Sequence, residues 1–477
     1  MSAGRLVVMA RVALVSSVML MIAGCPQPMG EPNQPEPNQP EPNMPVVKGN
    51  SGLTGKYAGS ERCAQCHQNV HTDWTKTLHG TALETLEAIG QGTNSNCLPC
   101  HTVGFGESGG YVDRATTDAL AGVGCEACHG AAAEHANNVN DESLRPKINL
   151  SADVCGQCHT GEHHPNFEDW SDSLHAKVEP HVAPRFAAGQ SLTSCGPCHS
   201  GDYFYYAIIK GEDIQNDFLE GVDPNEMNAI TCAICHNPHA RTGNAADPED
   251  GRDYQLRFAQ IKYTTPSVKL SDAINPDRFN LCGQCHHSRD RVWTDTSREP
   301  HPSDQVNVFF GELPVPDDQP DPIVTPRVSV HLNTSEQCSS CHVVRAPLVE
   351  GVAPAVSGHT FEVNFEGCAE CHGSAEAAEA KFEGLEIEFD LRSETLKDAM
   401  TMWATDNGKD ELYWEYTSEG GPDSDEQAKI PDEIKKARYI YYYVASGGGN
   451  GVHNPDFVRD ALITALEYAA MAPAPLP

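Results

Sequence analysis

Residues 232–239 read CAICHNPH, two cysteines and two histidines within eight positions. Cys-x-x-Cys-His is the attachment signature of c-type haem: the cysteines form thioethers with the two vinyl groups on one porphyrin edge, and the next imidazole reaches the iron from one face. His236 fills that proximal role. His239 comes only three residues later with the rigid Pro238 between, so it cannot pass round the same porphyrin to the opposite face. It serves a different iron or none.

The pattern recurs. Eighteen of the nineteen cysteines fall into nine such runs: Cys63/Cys66, Cys97/Cys100, Cys125/Cys128, Cys155/Cys158, Cys195/Cys198, Cys232/Cys235, Cys282/Cys285, Cys338/Cys341 and Cys368/Cys371. Each is followed by its histidine, namely His67, His101, His129, His159, His199, His236, His286, His342 and His372. A zinc ribbon or a thioredoxin-like pair also uses Cys-x-x-Cys, but neither needs a histidine in the next position. Nine matches argue against both and predict nine covalently bound haem c groups.

The motifs begin 34, 28, 30, 40, 37, 50, 56 and 30 residues apart, which leaves about 34 residues for each haem between Cys63 and His372. Only 39% of the chain is hydrophobic and 7% aromatic. With so little polypeptide per porphyrin, the haems themselves are expected to form the core. The fold class expected is mainly α with long loops and little sheet, a haem-packed multihaem cytochrome c fold closed by a C-terminal helical cap.

Arg5, Arg11 and the apolar run from Val12 to Ile22 read as an export signal, too short to span a membrane. Ile22-Ala23-Gly24-Cys25 looks like a bacterial lipobox, making Cys25 the lipidated residue that anchors the chain to a membrane. Pro26, rather than Asp, favours the outer membrane under enteric sorting, with the protein facing the periplasm or the cell surface. Glu31-Pro-Asn-Gln-Pro then repeats from Glu36 and, with Met44 in place of Gln, from Glu41, an extended polyproline spacer. The expected organisation is a signal over 1–24, the lipidated cysteine and linker over 25–56, haem regions over 57–190 and 191–372, and a helical region over 373–477.

Asp and Glu outnumber Lys and Arg 67 to 32, a formal charge of −35. Nucleic acid and anionic lipid are therefore poor partners, and basic redox proteins or other multihaem cytochromes suit the chain better. An oligomer is compatible with this. Past His372, Leu396, Ala399, Met400 and Trp403 share one helical face, and Ile434, Ala437, Tyr441 and Val444 another, which ends at Gly447-Gly448-Gly449. Asn454 and Pro455 read as the cap and first position of a third helix. Leu385, Ile387, Phe389 and Leu391 alternate, as a short strand would.

Twenty-two histidines less nine proximal ones leave thirteen, enough for a second axial ligand at every iron with four to spare. Imidazole on both faces gives a low-potential carrier closed to small molecules, and a vacant face permits chemistry. The ten methionines show no regular placement near the motifs.

Several contexts resemble the multihaem cytochromes c that include cytochrome c554, hydroxylamine oxidoreductase and the pentahaem nitrite reductases. CAQCHQNVHTDWTKTLH and CGQCHTGEHHPNFEDWSDSLH both carry Trp-x4-His after a motif, and GVGCEACHGAAAEH is similar to a cytochrome c554 element. The resemblance implies distal ligation by His79, His175 and His135. PHPSDQ, HLNTSEQCSSCH, SGHTF and GVHNPDF resemble ligand contexts of the same family, implying His301, His331, His359 and His453; His239 completes a set of eight and leaves one iron without an assigned partner. The nitrite reductases hold their catalytic haem through Cys-x-x-Cys-Lys, and this chain has no such run. The expected function is electron transfer along a chain of mostly bis-histidine haems, from periplasmic or membrane donors to an outer acceptor, with no catalytic residue assigned. The alternatives are an oxidoreductase acting on nitrite, hydroxylamine or a sulfur compound at one five-coordinate haem, and a subunit of a cytochrome filament.

Overall fold

The computed structural model describes residues 55–243, 253–257, 280–289, 291–334, 336–350, 352–445 and 450–476. The signal, Cys25, the proline-rich repeats and Gly447-Gly448-Gly449 lie outside the described residues. The described residues belong to one compact unit. They are mostly helical with no strand among them, and β-pairing is confined to isolated bridges such as Thr102–Ala121 and His236–Leu256. None of the helices is long and apolar enough to cross a membrane.

Two regimes of helix share the chain. Among the described residues between Ser60 and His372 no helix exceeds eight residues, and several coincide with the motifs: Cys125–His129, Leu192–His199, Cys232–Cys235 and Cys338–His342. Helices this short are unstable on their own in water and need a partner surface. The apolar clusters here are small and separate, one around Leu83, Leu86 and Leu120, another around Phe186, Leu192 and Leu219, a third around Val306, Phe309 and Phe310. Apart from Trp293, Val308, Leu313, Ile323 and Val324, which pack into the C-terminal cluster, the described side chains of this half do not build a continuous core.

The C-terminal region does. Helix α1, Ala375–Asp406, starts from Ser374, whose side chain accepts the Ala377 N–H, and packs against α2, Asp432–Ala445, and α3, Pro455–Met471. Leu396, Met400 and Trp403 of α1, Ile434, Ala437 and Ile440 of α2, and Phe457, Val458, Ala461 and Leu462 of α3 meet in the largest cluster of the molecule. Each fully buried Leu, Ile or Phe contributes roughly 1.5–3 kcal/mol by removal from water. The alternating Leu385 to Leu391 stretch is not a strand but the middle of α1. Of its four apolar residues only Phe389 is buried, while Ile387 and Leu391 are 70% and 69% exposed. The capped start and the flanking Ala, Glu and Lys outweigh a period-two pattern of four residues.

Arg438 of α2 is fully buried, donating to the carbonyls of Trp414 and Glu415 and to Gln427 Oε1 at 2.9–3.0 Å, with its guanidinium 4.0 Å from the centre of the Tyr416 ring. Asn454 caps α3, its Oδ1 accepting the Phe457 N–H, while its Nδ2 donates to the Val308 and Arg327 carbonyls at 3.0 and 2.6 Å. One side chain thus starts a helix and ties it to the haem-motif half. Asn454→Ala is expected to destabilise the holoprotein by about 2–4 kcal/mol, through loss of the cap and two unsatisfied carbonyls. Asn454→Asp, which keeps the cap alone, should fall between the two in chemical denaturation followed by circular dichroism.

Candidate functional site

The nine motifs define sites 1 to 9 in chain order, and the spare histidines come to them in pairs. Ring centroids lie 5.9 Å apart for His129 and His239, 6.0 Å for His159 and His79, and 6.1 Å for His199 and His301. The distance is 6.2 Å for His236 with His359 and for His286 with His175, and 6.3 Å for His342 with His453 and for His372 with His331. Interplanar angles run from 7° to 85°, so ring stacking is not the common cause. Two nitrogens each about 2.0 Å from a shared metal, with the ring centre roughly 1.1 Å beyond, place the centroids roughly 6 Å apart. The pairs fit an iron between them.

Site 1 and site 2 complete the pattern. His135 lies near enough to His67 for its charge to be opposed. At site 2, His101 is surrounded by His79 and His164, both of which feel its charge, and His164 is also 6.1 Å from His159. His164 was missed in the sequence: it is the second of a tandem pair and stands five residues after His159, a short separation of the same kind as the three residues from His236 to His239. That shared closeness was the available signal. Of the thirteen spare histidines, nine therefore gather at the sites. His181 bears on His199 by charge alone, and His287 is buried beside His286 and accepts the Arg289 N–H through Nδ1 at 3.1 Å.

Burial supplies the right chemical form. It pushes His159, His175, His236, His239, His301 and His453 down to about 4, holding the neutral imidazole that can coordinate a metal. At four of the rings Nδ1 is engaged by a carbonyl, leaving Nε2 free to take a metal, while Nδ1 of His135 and of His453 is buried without a hydrogen-bond partner. His101 meets the Ala82 carbonyl at 2.8 Å, His236 the Tyr254 carbonyl at 2.6 Å, His342 the Phe361 carbonyl at 2.9 Å and His331 the Val452 carbonyl at 3.1 Å. Site 5 differs, since His199 Nδ1 faces Glu179 Oε2 at 3.5 Å and its Nε2 lies 3.4 Å from Arg289 Nη2.

The thiols show which sites adjoin. First cysteines meet first cysteines at Cys63–Cys125, Cys155–Cys232 and Cys282–Cys338. Second cysteines lie beside first ones at Cys128–Cys155, Cys235–Cys282 and Cys341–Cys368. These alternate without a break along sites 1, 3, 4, 6, 7, 8 and 9. Two contacts between second cysteines, Cys100–Cys158 and Cys198–Cys285, attach site 2 to site 4 and site 5 to site 7. The result is one line of seven with two spurs.

Site 1 joins its neighbour through Cys63 and site 9 joins its own through Cys368, so sites 1 and 9 are the two ends of the line.

Sites 4 and 7 occupy equivalent branch points, and the segments around them repeat in detail. The Trp74 indole donates to the carbonyl of Val123, two residues before motif 3, at 3.1 Å; the Trp170 indole donates to that of Ile230, two residues before motif 6, at 3.0 Å. The Val123 N–H returns to the His79 carbonyl, and the Ile230 N–H to the His175 carbonyl. His79 then pairs at site 4 and His175 three sites further on, at site 7. The two Trp-x4-His stretches are the same device used twice.

Comparison with known proteins agrees with this arrangement. A family model described as cytochrome c554 and c-prime matches residues 62–130, and one described as cytochrome c552 matches residues 325–477. The chain is 33% identical over 89 residues to cytochrome c-554 of Nitrosomonas europaea, a match covering 16% of this chain and 38% of that protein. It is 26% identical over 224 residues to the C-type polyheme cytochrome OmcC of Geobacter sulfurreducens, covering 40% of this chain and 25% of the relative. The matches thus span less than half the length of each of these relatives. The solved structure of the outer cell wall cytochrome OcwA shares the fold, with a TM-score of 0.57 and 18% identity over 87% of this chain and 100% of that one. With Cys-x-x-Cys-His runs whose histidines meet second imidazoles at iron-spanning distance, in a helical fold shared with such proteins, the chain is a multihaem c-type cytochrome.

Proposed function

We propose that this cytochrome carries electrons along nine haem c sites, each held between two imidazoles, from a periplasmic or membrane donor to an outer acceptor. The observation that carries the reading is the set of thiol contacts that joins all nine motifs, together with a second imidazole at iron-spanning distance from seven of the nine proximal rings. The thioethers are made by the cysteine pair of each motif, from Cys63 and Cys66 at site 1 to Cys368 and Cys371 at site 9. The distal ligands are His135 at site 1, His164 at site 2, His239 at site 3 and His79 at site 4. His301, His359, His175, His453 and His331 serve sites 5 to 9. Haem c supplies a one-electron ferric–ferrous couple, and the chain supplies position, ligation and environment. A histidine on each face closes the iron to small substrates and holds it in one geometry through the change of charge.

His164 goes to site 2 because it follows His159 too closely to reach the far face at site 4, where His79 stands 6.0 Å away. The C-terminal helical region, 373–477, contributes a ligand through His453. Export with lipidation at Cys25 follows from the amino-terminal sequence, and the extended linker would stand the haem regions off an outer membrane. The acidic surface suits basic redox partners.

Mass spectrometry of the mature holoprotein is expected to give nine haems per chain, and electron paramagnetic resonance of the oxidised form no high-spin ferric signal. A strong high-spin signal with turnover of nitrite or hydroxylamine would instead make it an enzyme. His164→Ala should retain all nine haems, since the thioethers and proximal histidines remain, and should convert one iron to high spin; unchanged spectra would leave His164 without a ligand role.

A further inference from the structure

The two repeated segments differ at one place by a charge of opposite sign. Glu126 follows the first cysteine of motif 3, and Ala233 stands at the same place in motif 6. Glu126 is 4% exposed, and its carboxylate oxygens accept from the Ala58 N–H at 2.9 and 3.0 Å, the Gly59 N–H at 2.8 Å and the Ala132 N–H at 2.7 Å. All of these partners are donors, the surroundings an anionic carboxylate takes. Its charge bears on Cys63 and Cys125, and so on sites 1 and 3.

In the second segment a guanidinium occupies the neighbourhood. Arg257 Nε donates to the Ala233 and His236 carbonyls at 3.0 Å each, and its backbone N–H to the Cys235 carbonyl at 2.8 Å. Its charge bears on Cys235 and His236 of site 6, and on His239, which faces His129 at site 3. Site 1 therefore faces the carboxylate, site 3 both charges together with Lys210, and site 6 the guanidinium, where Asp169 and Arg345 also bear on His359 with opposite signs that offset each other. Arg145, whose charge reaches His135, is paired with Glu142 at the surface, where water screens it.

Reduction removes one positive charge from a haem iron, so a fixed carboxylate favours the ferric form and a fixed guanidinium the ferrous form. We propose that Glu126 and Arg257 grade the reduction potentials upward from site 1 through site 3 to site 6, so that electrons taken up at the site 1 end run toward site 6. The proposal rests on the electron-transfer reading above and gives that path a direction. A unit charge roughly 10 Å away at an effective dielectric of about 20 changes the ferric–ferrous ratio by on the order of tenfold.

The test uses the holoprotein with one distal ligand removed at a time. His135→Ala and His359→Ala should each give a high-spin ferric signal, marking site 1 and site 6 for redox titration. At the potential that half-reduces the site 6 signal, the site 1 signal should remain oxidised by about tenfold or more. Glu126→Gln added to His135→Ala should move its signal to higher potential, and Arg257→Gln added to His359→Ala should move its signal to lower potential. Site 1 titrating with or before site 6, or both charge variants leaving their signals unmoved, would overturn the grading while leaving the electron-transfer reading intact. If Glu126→Gln does not assemble, the two ligand variants still decide the order with the native charges in place. No high-spin signal in either would overturn the ligand reading and the grading with it.

Discussion

The structure depends on bringing two imidazoles from distant parts of the chain to about 6 Å across a single metal position. Between Ser60 and His372 the described helices are short, and the apolar clusters are small apart from the residues from Trp293 to Val324 that join the C-terminal core, so neither regular structure nor a side-chain core of its own organises this half. Each imidazole pair instead ties a motif to a segment far from it in sequence: His129 to His239, His286 to His175, His342 to His453. The C-terminal helices belong to the same scheme. They have a core of their own, yet the segment leading into α3 provides His453 and, through the Val452 carbonyl, the partner of His331 Nδ1. The helical region is joined to the motif half through the His342–His453 ring pair as well as through Asn454.

A repeated unit accounts for much of the remaining order. Trp74 and Trp170 hold the residues before motifs 3 and 6 in the same way, and the histidines five positions after each tryptophan reach sites three apart. Like-for-like thiol contacts at the two spurs and alternating contacts along the line follow the same rule. Repetition extends a path without a new fold, while single substitutions within the repeat, such as glutamate against alanine at 126 and 233, make its members unequal.

The motifs were fully legible from sequence because covalent attachment fixes both residue type and spacing. So were the capped third helix at Asn454 and most of the histidines that gather at the sites. Spacing carries no information on which motifs lie at the ends of the line, and that sites 1 and 9 do is visible only in the thiol contacts. Which histidine goes with which motif was not legible either, since that depends on segments separated by up to about a hundred residues and more, and local spacing only excludes the nearest iron. His239 illustrates both halves of this: three residues from His236 it had to look elsewhere, and only the fold reveals His129. His164 escaped because its neighbour His163 is equally placed in the sequence and differs only in what surrounds it. The alternating Leu385 to Leu391 stretch misled because four residues of period two carry less free energy than a long capped helix of good formers.

A density map of the holoprotein tests the account most directly. It should show His129 and His239 on one iron, and nine irons disposed as a line through sites 1, 3, 4, 6, 7, 8 and 9 with sites 2 and 5 beside sites 4 and 7. A map in which His239 binds the iron of site 6 or none, or in which the line runs in another order, would contradict it.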